Sequence, residues 1–180
     1  MLEFTFNLDP ASFDRSLTAF QLALADQSPA LAGIADDFRE MITEQFASEG
    51  RAGGEPWAPL APSTLRRGRP PGSSILVASG TLLRSLRDAG AVGHLEESDG
   101  QTLTIGSSLP YALFHQTGTG LGFGQSRLPS LLQRGRGMPM RPIIVLTPAR
   151  RERWLELMQK QVEASLAGHF LLGPAELGSA

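Results

Sequence analysis

Metal or acid–base chemistry in this chain would have to begin at His94, His115 and His169, its three histidines. Each stands alone: no His-x-x-x-His pair puts two imidazoles on one helical face, and no local carboxylate completes a ligand set. Cysteine is absent, which removes thiolate metal sites and disulfide frameworks together. Nucleophilic chemistry fares no better, because Gly-x-Ser-x-Gly is missing and no serine is placed on a strained strand-to-helix elbow. The residues therefore assign no catalytic group, no metal and no cofactor, and the chain is expected not to be an enzyme. His115 is expected near a helix end, donating to a backbone carbonyl and favouring the helix dipole. Tyr111, on the same short helix, is expected in the core.

Glycines at 118, 120, 122 and 124 have the look of a phosphate-cradling loop. Such a loop works when it follows a strand and opens a helix whose amides face the phosphate. Here a helical pattern precedes the glycines, none follows them, and Gly-Lys-Ser/Thr is lacking. Flexibility is the simpler use of these residues.

Arginine is the one charged type concentrated enough to suggest a function. Residues 1–50 carry nine acids against Arg15 and Arg39, a net of −7, whereas residues 51–180 carry nine acids against fourteen bases, a net of +5. Lys160 is the sole lysine, and guanidinium suits planar carboxylate or phosphate contacts better than ammonium does. Between Arg127 and Arg153 seven arginines face one acid, Glu152. Stacking aromatics are nearly missing from that window, so nucleic acid would be met through phosphate, without sequence preference and with strong salt dependence. A neighbour's carboxylates would serve equally well. The acidic strip Asp36, Asp37, Glu40 and Glu44 faces solvent in a monomer and could meet a neighbour's arginines in a ring. Asp36, Asp37, Glu40, Trp57, Arg66, Arg67, Arg69, Arg127, Arg134 and Arg136 are the candidate partner-contact residues.

These side chains must be positioned by a modest set of elements. At 180 residues and 41% hydrophobic content, the chain suffices for one ordinary domain. Leu2, Phe4, Phe6 and Leu8 alternate with polar residues as in a half-buried strand. Asp9-Pro10 then caps a helix whose Phe13, Leu17, Phe20 and Leu24 share one face, expected to be the inward one. Ser28-Pro29 opens a second helix, with Leu31, Ile34, Ala35, Phe38, Met41, Ile42 and Gln45 at helical spacing until Gly50, and the two helices are expected to form an antiparallel hairpin. Residues 50–74 form an arm of five prolines with at most a short helix at Pro62 to Arg67, and Trp57 is its packing anchor. A short helix runs from Ser79 to Leu86, and Asp99-Gly100 joins two strands as a hairpin. A further helix spans Pro110 to Gln116. Residues 118–137 form a long glycine- and arginine-bearing loop, of the kind that is usually functional. Pro142 to Leu146 fits a buried strand, and Thr147-Pro148 caps a final helix with Trp154, Leu157, Met158, Val162 and Leu166 on its apolar face. The fold class is α+β: a small, mostly antiparallel sheet packed against long N-terminal and C-terminal helices, as a single domain over 1–167 with a tail at 168–180. No basic leader or membrane-length apolar run is found, so a soluble protein that stays where it is made, without membrane contact, is expected.

Four pieces lie along the chain in a definite order. They are Trp57-x-x-Leu60 with Thr64; Leu76-x-x-Ser79-Gly80-x-Leu82-x-x-Ser85-Leu86; Tyr111-Ala112-x-x-His115-Gln116-x-Gly118; and Met138-Pro139-Met140-Arg141-Pro142 leading to Leu146-Thr147-Pro148. Together they resemble the phage virion morphogenesis family, the tail-completion proteins of Mu-like and P2-like tailed phages. The stretch between Gly118 and Met138 is longer and richer in glycine than the family leads one to expect. The resemblance implies a structural protein of the virion neck, acting late in assembly as a homo-oligomeric, six-fold ring at the head-proximal end of the tail. Its implied neighbours are head-connector and tail-tube proteins, with non-specific contact to packaged DNA. From the residues themselves, a sequence-independent DNA-binding protein using the arginine loops is the alternative.

Overall fold

The computed structural model of this chain describes residues 9–67, 74–119 and 138–171, and side chains of the last segment as far as residue 167. The strand expected at 2–8, the loop beyond Thr119, the tail beyond Leu171, and Arg69, Arg127, Arg134 and Arg136 lie outside the described residues. So does the side chain of His169. The fold is α+β, combining long helices toward both ends of the chain with a two-stranded antiparallel sheet. Two compact units divide it: one from the described parts of Met1–Ile34, Ser98–Leu103 and Glu152–Ala180, the other from Ala35–Glu97 and Thr104–Arg151.

Helix α1 covers Pro10–Ala25. Asp9 caps it as its sequence requires, accepting from the amides of Ala11 and Ser12 at 3.2 Å each, while Pro10 occupies a first-turn position where no amide is needed. The chain breaks at Asp26 and Gln27 before α2, Ser28–Ala47. Gln27 holds the break twice over: its amide donates to Gly100 O at 2.7 Å and its side-chain amide to Ala23 O at 2.7 Å.

The face of α1 expected to point inward does not. Phe13, Leu17, Phe20 and Leu24 are 44–53% exposed, and the residue this helix buries is Ala23. A period of 3–4 shows that apolar residues share a face, but not that anything covers it. In α2 the expected face is the buried one. Leu31 and Ile34 are enclosed in the first unit, and Phe38, Met41, Ile42 and Phe46 in the second.

The core of the second unit is completed by Trp57, Ile75, Leu82, Leu86 and Ile143. The arm carrying Trp57 contains a 3-10 turn at Arg51–Gly53 and the expected short helix, α3, at Pro62–Arg66. Helix α4 is Thr81–Arg87, and α5 is Pro110–Thr117. Between them lies the expected hairpin, β1 (His94–Ser98) and β2 (Leu103–Ser107). Its turn is set by Gly100, at φ +86°, and by the Asp99 carboxylate, which accepts from the amides of Gln101 and Thr102 and is thereby held below the usual aspartate range. An isolated two-stranded hairpin is marginal in water. Here Ser107 Oγ meets the buried Ser85 Oγ at 2.8 Å, His94 bridges Ser85 O and Glu96 at 3.0 Å each, and Arg39 of α2 donates to Glu96 at 2.6 Å. His94 is thus part of the hairpin's attachment.

The strand expected at Pro142 to Leu146 is not formed. The segment is irregular, with Ile143 buried but Ile144 and Leu146 each 39% exposed. Side chains take the place of a neighbouring strand. Gln116 Oε1 accepts from the amides of Ile143 (2.7 Å) and Ile144 (3.0 Å), and its Nε2 donates back to Ile144 O at 3.0 Å. Pro142 O receives both Gln45 Nε2 (2.9 Å) and Trp57 Nε1 (2.7 Å). A primary amide offers the same donor and acceptor as a peptide group, so one glutamine satisfies what a ladder would have. The final helix, α6, runs Pro148–Leu171, and its expected face is half-buried. In the first unit Leu157 packs beside Gly33, where an added Cβ would lie 3.5 Å from the leucine.

Candidate functional site

The four sequence pieces singled out above converge on one cavity of about 460 Å³ within the second unit. The arm supplies Leu60, Ala61 and Thr64. The turn before α4 and its first residues contribute Leu76 and the stretch from Ala78 to Leu82. Helix α5 presents Tyr111 and His115, and Met138, Pro139 and Arg141 close the remaining side. Tyr111, expected in the core, is 40% exposed and lines this cavity instead.

Arg141 holds the walls together. Its Nε donates to Ala58 O at 2.8 Å and its Nη2 to Pro59 O at 3.1 Å, while its own amide donates to His115 O at 2.7 Å. One residue thereby ties the arm, α5 and the 138–142 segment. Trp57 reinforces the tie through its bond to Pro142 and an edge-to-face contact with Phe46 at 5.2 Å between ring centroids. Gly118 lets the chain close behind α5: its φ is +73°, and a Cβ there would come within 3.0 Å of Met140 N. At the opposite side Gly80, φ +73°, starts α4, with Ser79 Oγ 2.8 Å from Thr81 Oγ1. Leu76 adopts φ +65°, a costly conformation for a branched side chain, held by Ile75, whose amide donates to Glu49 Oε1 at 2.9 Å.

The electrostatics of the cavity are unbalanced. Arg141 is 5% exposed, and no carboxylate pairs with it among the described residues. Burial lowers its pKa from the ordinary arginine value, yet a guanidinium remains charged at neutral pH. His115 was expected to donate to a backbone carbonyl. Its Nδ1 is instead buried without a hydrogen-bond partner among the described residues. Burial and then the charge of Arg141 lower the His115 pKa below 6.5, so the ring is neutral at neutral pH.

A pH dependence follows. In the unfolded chain the imidazole takes up a proton near 6.5, and in the folded protein only at lower pH. As pH falls below about 6.5 the unfolded state binds protons that the folded state lacks, so stability declines until the folded histidine is protonated too. Unfolding free energies measured in urea across this range should fall with acidity in the parent chain and fall less steeply in His115→Asn. Equal slopes in the two proteins would remove His115 as the cause.

The candidate partner residues are placed as follows. Asp37 is buried and meets Arg150 at 2.9 Å, and Glu44 closes on the same guanidinium. Asp36 is exposed and within 2.7 Å of Arg39. Glu40 is exposed on the same helix, and Arg66 and Arg67 are exposed at the end of α3. Trp57 is 4% exposed and packs as an anchor. Part of the acidic strip is thus matched within the chain, and Arg141 and Arg150 are engaged internally. The roles of Arg141, Gln116 and Gln45 emerge only in the folded chain. The available signals were a charged residue inside an apolar Met-Pro-Met-Arg-Pro-Ile-Ile run and a glutamine on the apolar stripe of α2.

Among the described residues no cluster of histidine and carboxylate side chains could hold a metal ion, and no helix is long and apolar enough to cross a membrane. In comparisons with known proteins, the model of a family described as the phage virion morphogenesis family matches residues 8–163. No curated protein and no solved structure matches the chain.

Proposed function

Since this chain belongs to the phage virion morphogenesis family and serves the assembly of phage particles, we propose that it is a ring-forming tail-completion or tail-terminator protein. In this reading copies of the chain, six to a ring, close the head-proximal end of the tail and present a surface to head-connector and tail-tube proteins. Its work is structural and not catalytic.

The observation carrying this reading beyond the family is the open apolar stripe of α1. Four large side chains, two of them phenylalanines, stand 44–53% exposed on one helix. Contiguous exposed apolar surface of this kind marks contact sites in proteins that assemble. A ring needs two different, complementary patches on each subunit, and a chain acidic in its first third and basic thereafter can supply them. Native mass spectrometry of the purified protein, together with electron micrographs of the virion neck, tests the proposal. A hexamer and a matching ring at the neck are expected; a monomer at all concentrations, with no density at the neck, overturns it. Leu17→Glu with Phe20→Glu should leave the subunit folded and prevent ring formation, because both residues are outward-facing in the single chain. Rings of normal stability in that double variant would show that α1 is not the contact.

Sequence-independent DNA binding rests on the arginine excess between Arg127 and Arg153. Arg141 and Arg150 are committed to partners in their own chain, which leaves less charge for phosphate than the count suggests. Salt-dependent retention of the isolated subunit on duplex DNA near physiological ionic strength would favour that alternative.

A further inference from the structure

The cavity built by the four sequence pieces contains a positive charge that no carboxylate balances among the described residues. Arg141 is nearly enclosed, two of its donors are used on Ala58 O and Pro59 O, and Nη1 makes no hydrogen bond among the described residues. Burying a charge without a counter-charge is costly, and the usual resolution is an opposite charge close by. His115 also lines the cavity, and its Nδ1 is buried with no hydrogen-bond partner among the described residues. Ser79 and Thr81 line it too, and with their hydroxyls bonded to each other at 2.8 Å the pair has one O–H left to donate. Leu60, Leu76, Leu82 and Met138 supply apolar lining, with Thr64 and Tyr111 beside them.

We propose that this cavity is a binding site for the carboxylate of a glutamate or aspartate side chain on an acidic segment of a partner protein in the assembling particle. Arg141 supplies the counter-charge, the hydroxyl pair supplies one neutral donor, and the leucines and Met138 receive the aliphatic stem. The volume lies in the range of sites that hold a small ligand or a few side chains. A carboxylate fits better than a phosphate. Only one guanidinium lines the site, with its Nε/Nη2 edge occupied by carbonyls and its Nη1/Nη2 edge left for one ligand, and the neighbouring imidazole is neutral, so a single negative charge is what the site can balance. That the partner is a protein rests on the assembly reading; the carboxylate preference does not.

The test uses the full chain with labelled histidine, following the His115 ring signals by NMR at neutral pH. The probe is N-acetyl-glutamate amide, with N-acetyl-glutamine amide and inorganic phosphate as comparisons. Saturable shifts of His115 with the glutamate compound, absent with its neutral isostere and weaker with phosphate, are expected. Arg141→Met should weaken that binding by roughly tenfold or more, as for loss of a hydrogen bond between charged groups. Because Arg141 also ties the arm, Ala78→Leu serves as a second variant: it fills the cavity, leaves Arg141 in place, and should abolish binding while the protein stays folded. No shift with any probe, equal response to glutamate and glutamine, or tighter binding of phosphate would each overturn the carboxylate site. Those results would leave ring formation untouched, and a monomeric protein that still binds the glutamate probe would overturn the ring and keep the site.

Discussion

Trp57→Ala is expected to destabilise the second unit by about 3–5 kcal/mol, the usual range for deleting an enclosed large aromatic. The indole is 4% exposed, edge-on to Phe46, and bonded through Nε1 to Pro142 O. Its surroundings leave no room to collapse. A Cβ at Gly50 would come within 2.6 Å of Trp57 Cδ1, so the backbone is already in contact with the ring. Losing the ring also loosens the arm, because the Trp57 amide donates to Glu49 O and the following carbonyls are the ones Arg141 grips. Trypsin should therefore cut faster between Arg51 and Arg69 in the variant. Trp57→Phe separates the two contributions. It keeps most of the packing and gives up one hydrogen bond, whose net worth is about 1 kcal/mol, and Pro142 O retains Gln45 as donor. Unchanged urea unfolding and unchanged cleavage in Trp57→Ala would show that the indole does not hold the arm.

Phe38→Ala should cost a similar amount, about 3–5 kcal/mol, because Phe38 is 3% exposed within the core of the second unit. Its value lies in comparison with Phe20→Ala. Phe20 is 44% exposed, so its removal should cost the isolated subunit less than about 1 kcal/mol. The two substitutions are chemically identical and sit on apolar faces that look alike in sequence. At concentrations where the protein assembles, the Phe20→Ala deficit should grow, since a partner covering α1 stabilises the folded form by mass action. Equal losses for both variants in the monomer would mean that the α1 face is covered within the chain.

Local chemistry made much of the fold legible. Pro10, Pro62, Pro110 and Pro148 set helix starts because a missing amide and a fixed φ suit the first turn whatever lies elsewhere, and at Asp9 and Thr147 a side-chain oxygen adds a cap. Asp99-Gly100 set the hairpin for the same reason: φ +86° and the short carboxylate bonds are local. The buried face of α2 was also readable, because its apolar stripe is long and continuous. Order along the chain brought the four pieces together as one signature, and the family was legible from them.

Which apolar faces would be covered was decided only in three dimensions. The stripes of α1 and α2 obey the same period, yet one is open and the other enclosed, since burial depends on what arrives from distant sequence. For the same reason Pro142 to Leu146, read as a strand, became a segment satisfied by Gln45, Trp57 and Gln116: a strand needs a neighbouring edge, and here three side chains reached the peptide groups first. The cavity is the furthest from sequence. Nothing in the spacing of Ser79, His115 and Arg141 says that they face one another. Their place on one cavity, and the enclosed charge that no carboxylate pairs among the described residues, depend on hydrogen bonds such as Arg141 to Ala58 O that span 83 residues.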